Sequence, residues 1–302
     1  EDQMDQSNGG NVSITPPSIT DGSTAKVKNS NGLTSSTTNR IMNAKEKLRL
    51  PWCTEDGSAV ELLKKGLAEM IGTAILVFLG CLGCVGSMGN IPSHLQICLS
   101  FGFAVIIAIQ SVGHISGAHI NPAITVGAVV CGHKSLLSAL VYIIGQTAGG
   151  IIGYALLKML TPSGLLWAGS PDESSSFCVT QLSERLSVPQ GFFAEVLATG
   201  LLVFMWCAAV DARNSSSQDS IGIRFGLAVA ALCLGFVPYT GAGMNPARSF
   251  GPALMNLQWK QHWVYWFGPF AGSIVGSLLY KSAFQPKPKD QDSLAAPRDN
   301  GV

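Results

Sequence analysis

Charge is what this sequence has least of. Asp, Glu, Lys and Arg make up 12% of its 302 residues and sum to a net +1. So thin a balance excludes an acidic macromolecular partner, and with no basic run interleaved with aromatics it excludes nucleic acid binding. Histidine is equally sparse, at five residues. Cys81 and Cys84 form a CxxC, yet no second CxxC or histidine set completes a zinc site. The pair sits in an apolar run, where cysteine behaves as a small hydrophobe, so packing is the expected role of Cys81 and Cys84, as it is of Cys98, Cys131 and Cys207. Cys53 reads as an ordinary cytoplasmic thiol and Cys178 as exposed on the outside. No nucleophile–base pair or metal set stands in the core, so neither an enzyme nor a cofactor is expected. The chain start lacks the basic, apolar and small-residue succession of a signal peptide, which leaves the first span as the insertion signal.

Apolar residues are what the chain has in quantity, at 47%. Several windows hold about 20 apolar or small residues, enough to cross a hydrocarbon core of roughly 30 Å. Six spans are expected, at 66–88, 95–114, 136–158, 191–210, 222–238 and 263–283. Residues 1–58 and 284–302 are polar tails with little to bury and are expected to be disordered. Six spans place both tails on one side. Lys45, Lys47, Arg49, Lys64 and Lys65 precede the first span, and Lys281, Lys287 and Lys289 stand at or after the end of the last, while the link after the first span carries no Lys or Arg. Both tails are therefore expected in the cytoplasm and the chain in the plasma membrane. On that topology the acceptor patterns NVS at 11–13 and NSS at 214–216 face the cytoplasm and stay unglycosylated.

Laying the chain against itself gives more. AEMIGTAILVF at 68–78 matches AEVLATGLLVF at 194–204, FGFAV at 101–105 matches FGLAV at 225–229, SGAHINPA at 116–123 matches TGAGMNPA at 240–247, and GQTAGGIIG at 145–153 matches GPFAGSIVG at 268–276. A nearly constant offset of 123 to 126 residues marks a duplication, with one copy at 60–160 and the other at 188–283. Each copy holds an odd number of spans, so the second enters the membrane inverted relative to the first.

The NPA at the heart of each copy has a physical reading. Pro122 and Pro246 suit the first position of a helix, which needs no backbone N–H, and Asn121 and Asn245 suit the N-cap. The apolar stretches that follow, AITVGAVV at 123–130 and ARSFGPALM at 247–255, are too short to span and are expected to belong to re-entrant half-helices, each starting at its NPA, Asn121–Pro122–Ala123 and Asn245–Pro246–Ala247. Two such starts meeting at the midplane aim two positive dipole ends and two amides at one point. The expected fold is thus an all-α membrane protein of six transmembrane helices and two half-helices over 59–283, built as an inverted three-span repeat.

HISGAHINPAITVG and YTGAGMNPARSFGPA closely resemble the two signature loops of the aquaporins, the major intrinsic proteins, and the similarity runs from about residue 60 to 283. The resemblance implies a homotetramer with one pore per protomer, admitting water and excluding ions by the paired half-helices and an arginine. It also implies a constriction of Phe101, Cys233, Ala242 and Arg248, and a structural role for Glu69 and Glu195 as buried struts holding the loop backbones. Water-selective members usually carry histidine where this chain has Cys233; a thiol is smaller and only weakly hydrogen-bonding. Ser249, Ala253 and the pair Tyr265–Trp266 resemble the water-selective class instead. The mixture is similar to that of the insect entomoglyceroporins, so water, glycerol and urea are the expected permeants and a lipid bilayer the only other partner. His119 is expected to be structural or pore-lining, and His114 to stand at the cytoplasmic mouth. A strictly water-selective pore is the alternative; an ion-coupled transporter and a junctional membrane protein are weaker ones, because Glu69 and Glu195 are the sole repeat-matched ionisable pair and both NPA loops are intact.

Overall fold

A computed structural model describes residues 58–85, 90–166 and 176–284. Apart from their boundary residues the expected tails lie outside these, as do Cys53 and the NVS pattern. Eight α-helices appear in order: α1 Ala59–Leu82, α2 His94–Ser116, α3 Pro122–Cys131, α4 Leu136–Leu160, α5 Val188–Ala209, α6 Ile221–Thr240, α7 Pro246–Asn256 and α8 Val264–Ala283. There is no strand among the described residues. Six of the helices are long and two, α3 and α7, are short, in the order the repeat predicts.

Helix starts follow the capping chemistry of the sequence. The hydroxyls of Ser58, Ser93 and Ser135 accept from backbone N–H groups three residues on and open α1, α2 and α4. Ser58 explains why α1 begins seven residues before the expected 66: the cap recruits Lys64 and Lys65 into the first two turns, where Lys64 pairs with Glu61 at 2.9 Å. Five of the long helices are apolar enough by length and composition to cross a membrane. The sixth, α8, is less apolar because it carries Tyr265, Trp266, Pro269 and Tyr280 among its apolar residues and Lys281 in its last turn.

Packing repeats the duplication. Helix α1 packs on α4 as α5 packs on α8, and the half-helices cross over, α3 lying against α8 and α7 against α4. Glycines make these crossings close. A Cβ at Gly145, Gly149 or Gly153 of α4 would meet the carbonyl oxygens of Gly66, Met70 or Ala74 on α1; at Gly272 or Gly276 of α8 it would meet those of Val196 or Gly200 on α5. Such backbone approach is how helices associate where water supplies no driving force between them.

One expectation about the cysteines is overturned. Cys81 is disulfide-bonded to Cys178 across 97 residues. Cys81 is thus not a free packing thiol, and Cys178 is half-buried rather than simply exposed. The end of α1 and the segment before α5 meet on the membrane face away from the start of α1, which is why two residues that look unrelated along the chain become partners. Cys84, Cys98, Cys131, Cys207 and Cys233 are free.

Candidate functional site

Each NPA loop is built alike. Asn121 and Asn245 are extended N-caps whose Oδ1 atoms accept from the N–H of Ala123 at 2.8 Å and of Ala247 at 3.1 Å, while Pro122 and Pro246 occupy the first helical turn. The side-chain amides then reach across. Asn121 Nδ2 donates to the carbonyl of Met244 at 2.9 Å and Asn245 Nδ2 to that of Ile120 at 2.8 Å. One hydrogen of each amide thus locks the two loops together, and only the second is left for a solute, a division the sequence reading of two freely inward-pointing donors did not contain.

The loops preceding the NPAs hold strained backbone. Ala118 and Ile120 have φ of 46° and 44°, and Ala242 and Met244, their counterparts 124 residues on, have 48° and 46°. Left-handed conformations in non-glycine residues persist only where the surroundings over-determine them. Here the surroundings are two buried carboxyl groups. Glu69 accepts from the Ser116 hydroxyl at 2.6 Å, the His119 N–H at 2.9 Å, the Ile120 N–H at 2.6 Å and the Gln146 amide at 2.7 Å. Glu195 accepts from the Thr240 hydroxyl at 2.5 Å and the N–H groups of Gly243 at 2.8 Å and Met244 at 2.7 Å. Donors alone face each group, the set that an acceptor-only carboxylate takes.

Two further residues hold these loops: Tyr142, which was not singled out in the sequence, and Tyr265, which was named there for another reason. The Tyr142 hydroxyl donates to the carbonyl of Ser116 and the Tyr265 hydroxyl to that of Thr240, both at 2.8 Å. The tyrosines stand 123 residues apart, just upstream of the matched GQTAGGIIG and GPFAGSIVG segments. Carrying the self-alignment three residues further back finds them.

A cavity of about 480 Å³ runs past the loops and is lined by Phe101, Asn121, Cys233, Ala242, Asn245 and Arg248 among others, with His114 and Asp219 also on its wall. The four residues of the expected constriction come from α2, α6, the second loop and α7, and the fold brings all four to one cavity. Cys233 therefore lines the cavity and is not a lipid-facing filler. The Arg248 guanidinium lies 4.6 Å from the centre of the Phe101 ring, and its Nη1 donates to the carbonyl of Cys178 at 2.8 Å. His119 is buried, with Nδ1 3.1 Å from Thr125 Oγ1 and edge contacts to Tyr142 and Trp206.

Chemically the wall is mostly apolar, with donors at two levels: the amides of Asn121 and Asn245, and the guanidinium of Arg248. An uncharged hydroxylic solute accepts hydrogen bonds there, whereas a cation meets positive half-helix ends and a fixed positive charge in a poorly hydrated passage. Among the described residues that line the cavity, no nucleophile–base pair or metal set accompanies these donors.

Comparison with known proteins places this geometry. The Major intrinsic protein family model matches residues 57–280. Human Aquaporin-2 is 37% identical over 222 residues, covering 74% of this chain and 79% of the relative. Mouse Aquaporin-4 is 39% identical over 224 residues, covering 72% of this chain and 67% of the relative. The sheep lens fiber major intrinsic protein is 38% identical over 223 residues, at 74% and 81%. The solved aquaglyceroporin from Plasmodium falciparum shares the fold with a TM-score of 0.67 at 24% identity, over 74% of this chain and 96% of its own. The chain belongs to the major intrinsic protein family, the aquaporins, and is a passive multi-pass membrane channel for water, not an enzyme.

Proposed function

We propose that the pore passes glycerol, and urea with it, in addition to water. The observation that carries this reading is Cys233 on the cavity wall beside Phe101, Ala242 and Arg248. A thiol there leaves more room than an imidazole and removes a polar edge. Phe101 offers the carbon backbone of a polyol an apolar face, and the Arg248 N–H groups not engaged by Cys178 donate to its hydroxyls. Arg248 and the paired Asn121 and Asn245 are the elements that exclude ions and interrupt proton hopping, because a water at the midplane accepts from both amides and turns its hydrogens away.

Stopped-flow light scattering of proteoliposomes in an inward glycerol gradient tests this. The wild type admits glycerol well above protein-free vesicles, and Cys233→His lowers glycerol permeability at least about tenfold, a barrier rise of about 1.4 kcal/mol, while water still passes. Undiminished glycerol entry in Cys233→His removes the basis of the reading. Exclusion of glycerol by the wild type itself makes the pore strictly water-selective.

The assembly belongs to the same proposal. Leu67 and Ile71 on α1, Leu140 and Ile144 on α4, and Phe193 and Leu197 on α5 are all exposed on the single chain. Such faces suit contact with lipid and with other copies, as in a homotetramer with one pore per protomer, set in the plasma membrane with both termini cytoplasmic.

A further inference from the structure

We infer that the Cys81–Cys178 disulfide is a positioning element for the constriction, fixing the carbonyl that holds Arg248 against the cavity wall. The inference rests on the reading of Arg248 as a constriction residue.

Cys178 touches Arg248 twice: its carbonyl accepts from Nη1 at 2.8 Å, and its Sγ lies 3.9 Å from Nη2. The residue doing this is not held by secondary structure. It lies between α4 and α5 at φ 56°, a left-handed conformation that a side-chain-bearing residue keeps only under outside constraint. Its neighbour supplies part of the constraint: the carbonyl of Phe177 accepts from the Tyr154 hydroxyl at 2.8 Å and from Asn256 Nδ2 at 3.2 Å. The covalent part is the bond to Cys81, which is fully buried in the last turn of α1. One strained residue is therefore pinned to α1 by its side chain, braced to α4 and α7 through its neighbour, and presents its own carbonyl to the guanidinium.

Arg248 is itself buried, with its guanidinium over the Phe101 ring. A buried guanidinium that loses an acceptor must find another. When Cys178 is released, the space open to Arg248 is the cavity it lines. The guanidinium then enters the passage, and a solute larger than water loses its way through first. Cys81 and Cys178 are thus positioning residues that keep the pore wide, acting through Arg248 without touching solute.

The test compares wild type, Cys178→Ser and Arg248→Ala in proteoliposomes, each before and after a trialkyl phosphine. The phosphine breaks the S–S bond to two thiols and takes an oxygen from water, becoming the phosphine oxide. Alkylation and mass spectrometry count the thiols released, and stopped-flow gives water and glycerol permeability. Reduction of the folded wild type is expected to lower the ratio of glycerol to water permeability at least threefold, to the level of Cys178→Ser, and to leave Arg248→Ala and Cys178→Ser unchanged. An unchanged ratio in wild type with both thiols released overturns the inference. So does an equal change in Arg248→Ala, which would make the disulfide a fold brace only. Oxidised Arg248→Ala with wild-type permeabilities removes the constriction reading, and the inference with it. If no variant passes glycerol, the solute reading of Cys233 fails alone; a fall in water permeability on reduction confined to chains with Arg248 then supports the inference, and no fall refutes it.

Discussion

At the residue scale, Cys233 carries a prediction about inhibition as well as selectivity. It is a free thiol on the wall of the cavity that Arg248 also lines. A mercurial bound there occupies the passage, so water permeability in proteoliposomes is expected to fall several-fold on treatment and recover with excess thiol. Cys233→Ser is expected to resist; equal sensitivity in that variant places the inhibitory site elsewhere. Cys233 was legible through the family resemblance, since it lies twelve residues before Asn245, where water-selective members usually carry histidine. The disulfide was not. Cys81 lies in an apolar run and its partner is 97 residues away in a segment without periodicity, so nothing local distinguishes it from the packing cysteines. The signal available was topological: on the topology expected from the sequence, the end of the first span and the link between the repeats share one side of the membrane, the outer one, where disulfides persist.

At the element scale, the repeat made the order of helices legible, while their exact starts depended on caps. The α4 glycines give a test. A Cβ at Gly149 meets the Met70 carbonyl, a backbone atom with no rotamer to escape into, whereas one at Gly235 on α6 meets nothing. Gly149→Ala is expected to lower stability in detergent by about 1–3 kcal/mol, and Gly235→Ala to be neutral or slightly stabilising, read from unfolding midpoints. Equal effects would mean that the α1–α4 crossing relaxes freely. The link between α5 and α6 gives a second. The Arg213 guanidinium, donating to both carboxylate oxygens, holds Asp211 far below the usual carboxylate range, with the Arg213 N–H and the Tyr280 hydroxyl adding to it. A depressed folded value stabilises fully above the unfolded value of about 4 and is lost as pH falls below it. The stability difference between wild type and Asp211→Asn is therefore expected to be constant from about pH 8 to 5 and to shrink below about pH 4. A difference that vanishes near neutral pH contradicts this assignment.

At the scale of the whole molecule, function follows from inversion. Duplicating an odd number of spans brings two half-helices from opposite faces to one point, and the crossed amides of Asn121 and Asn245 hold them there. This much was written in the sequence, since a pair of repeat-matched NPA motifs inside short apolar stretches has few other structural uses. The reciprocal loop bonds were less visible because they join atoms in different repeats, and the tyrosine supports because each reaches a carbonyl 26 or 25 residues upstream; a linear pattern does not state which backbone carbonyl a side-chain donor will find. The central claim is that this passage carries small uncharged solutes and no protons. The measurement that meets it most directly is stopped-flow scattering of proteoliposomes holding a trapped pH dye, exposed to an outward osmotic step with glycerol and an imposed pH difference. Rapid shrinkage, glycerol-driven reswelling and a flat dye signal are the predicted result; a dye signal that relaxes with the water flux, or vesicles that shrink no faster than empty ones, contradicts it.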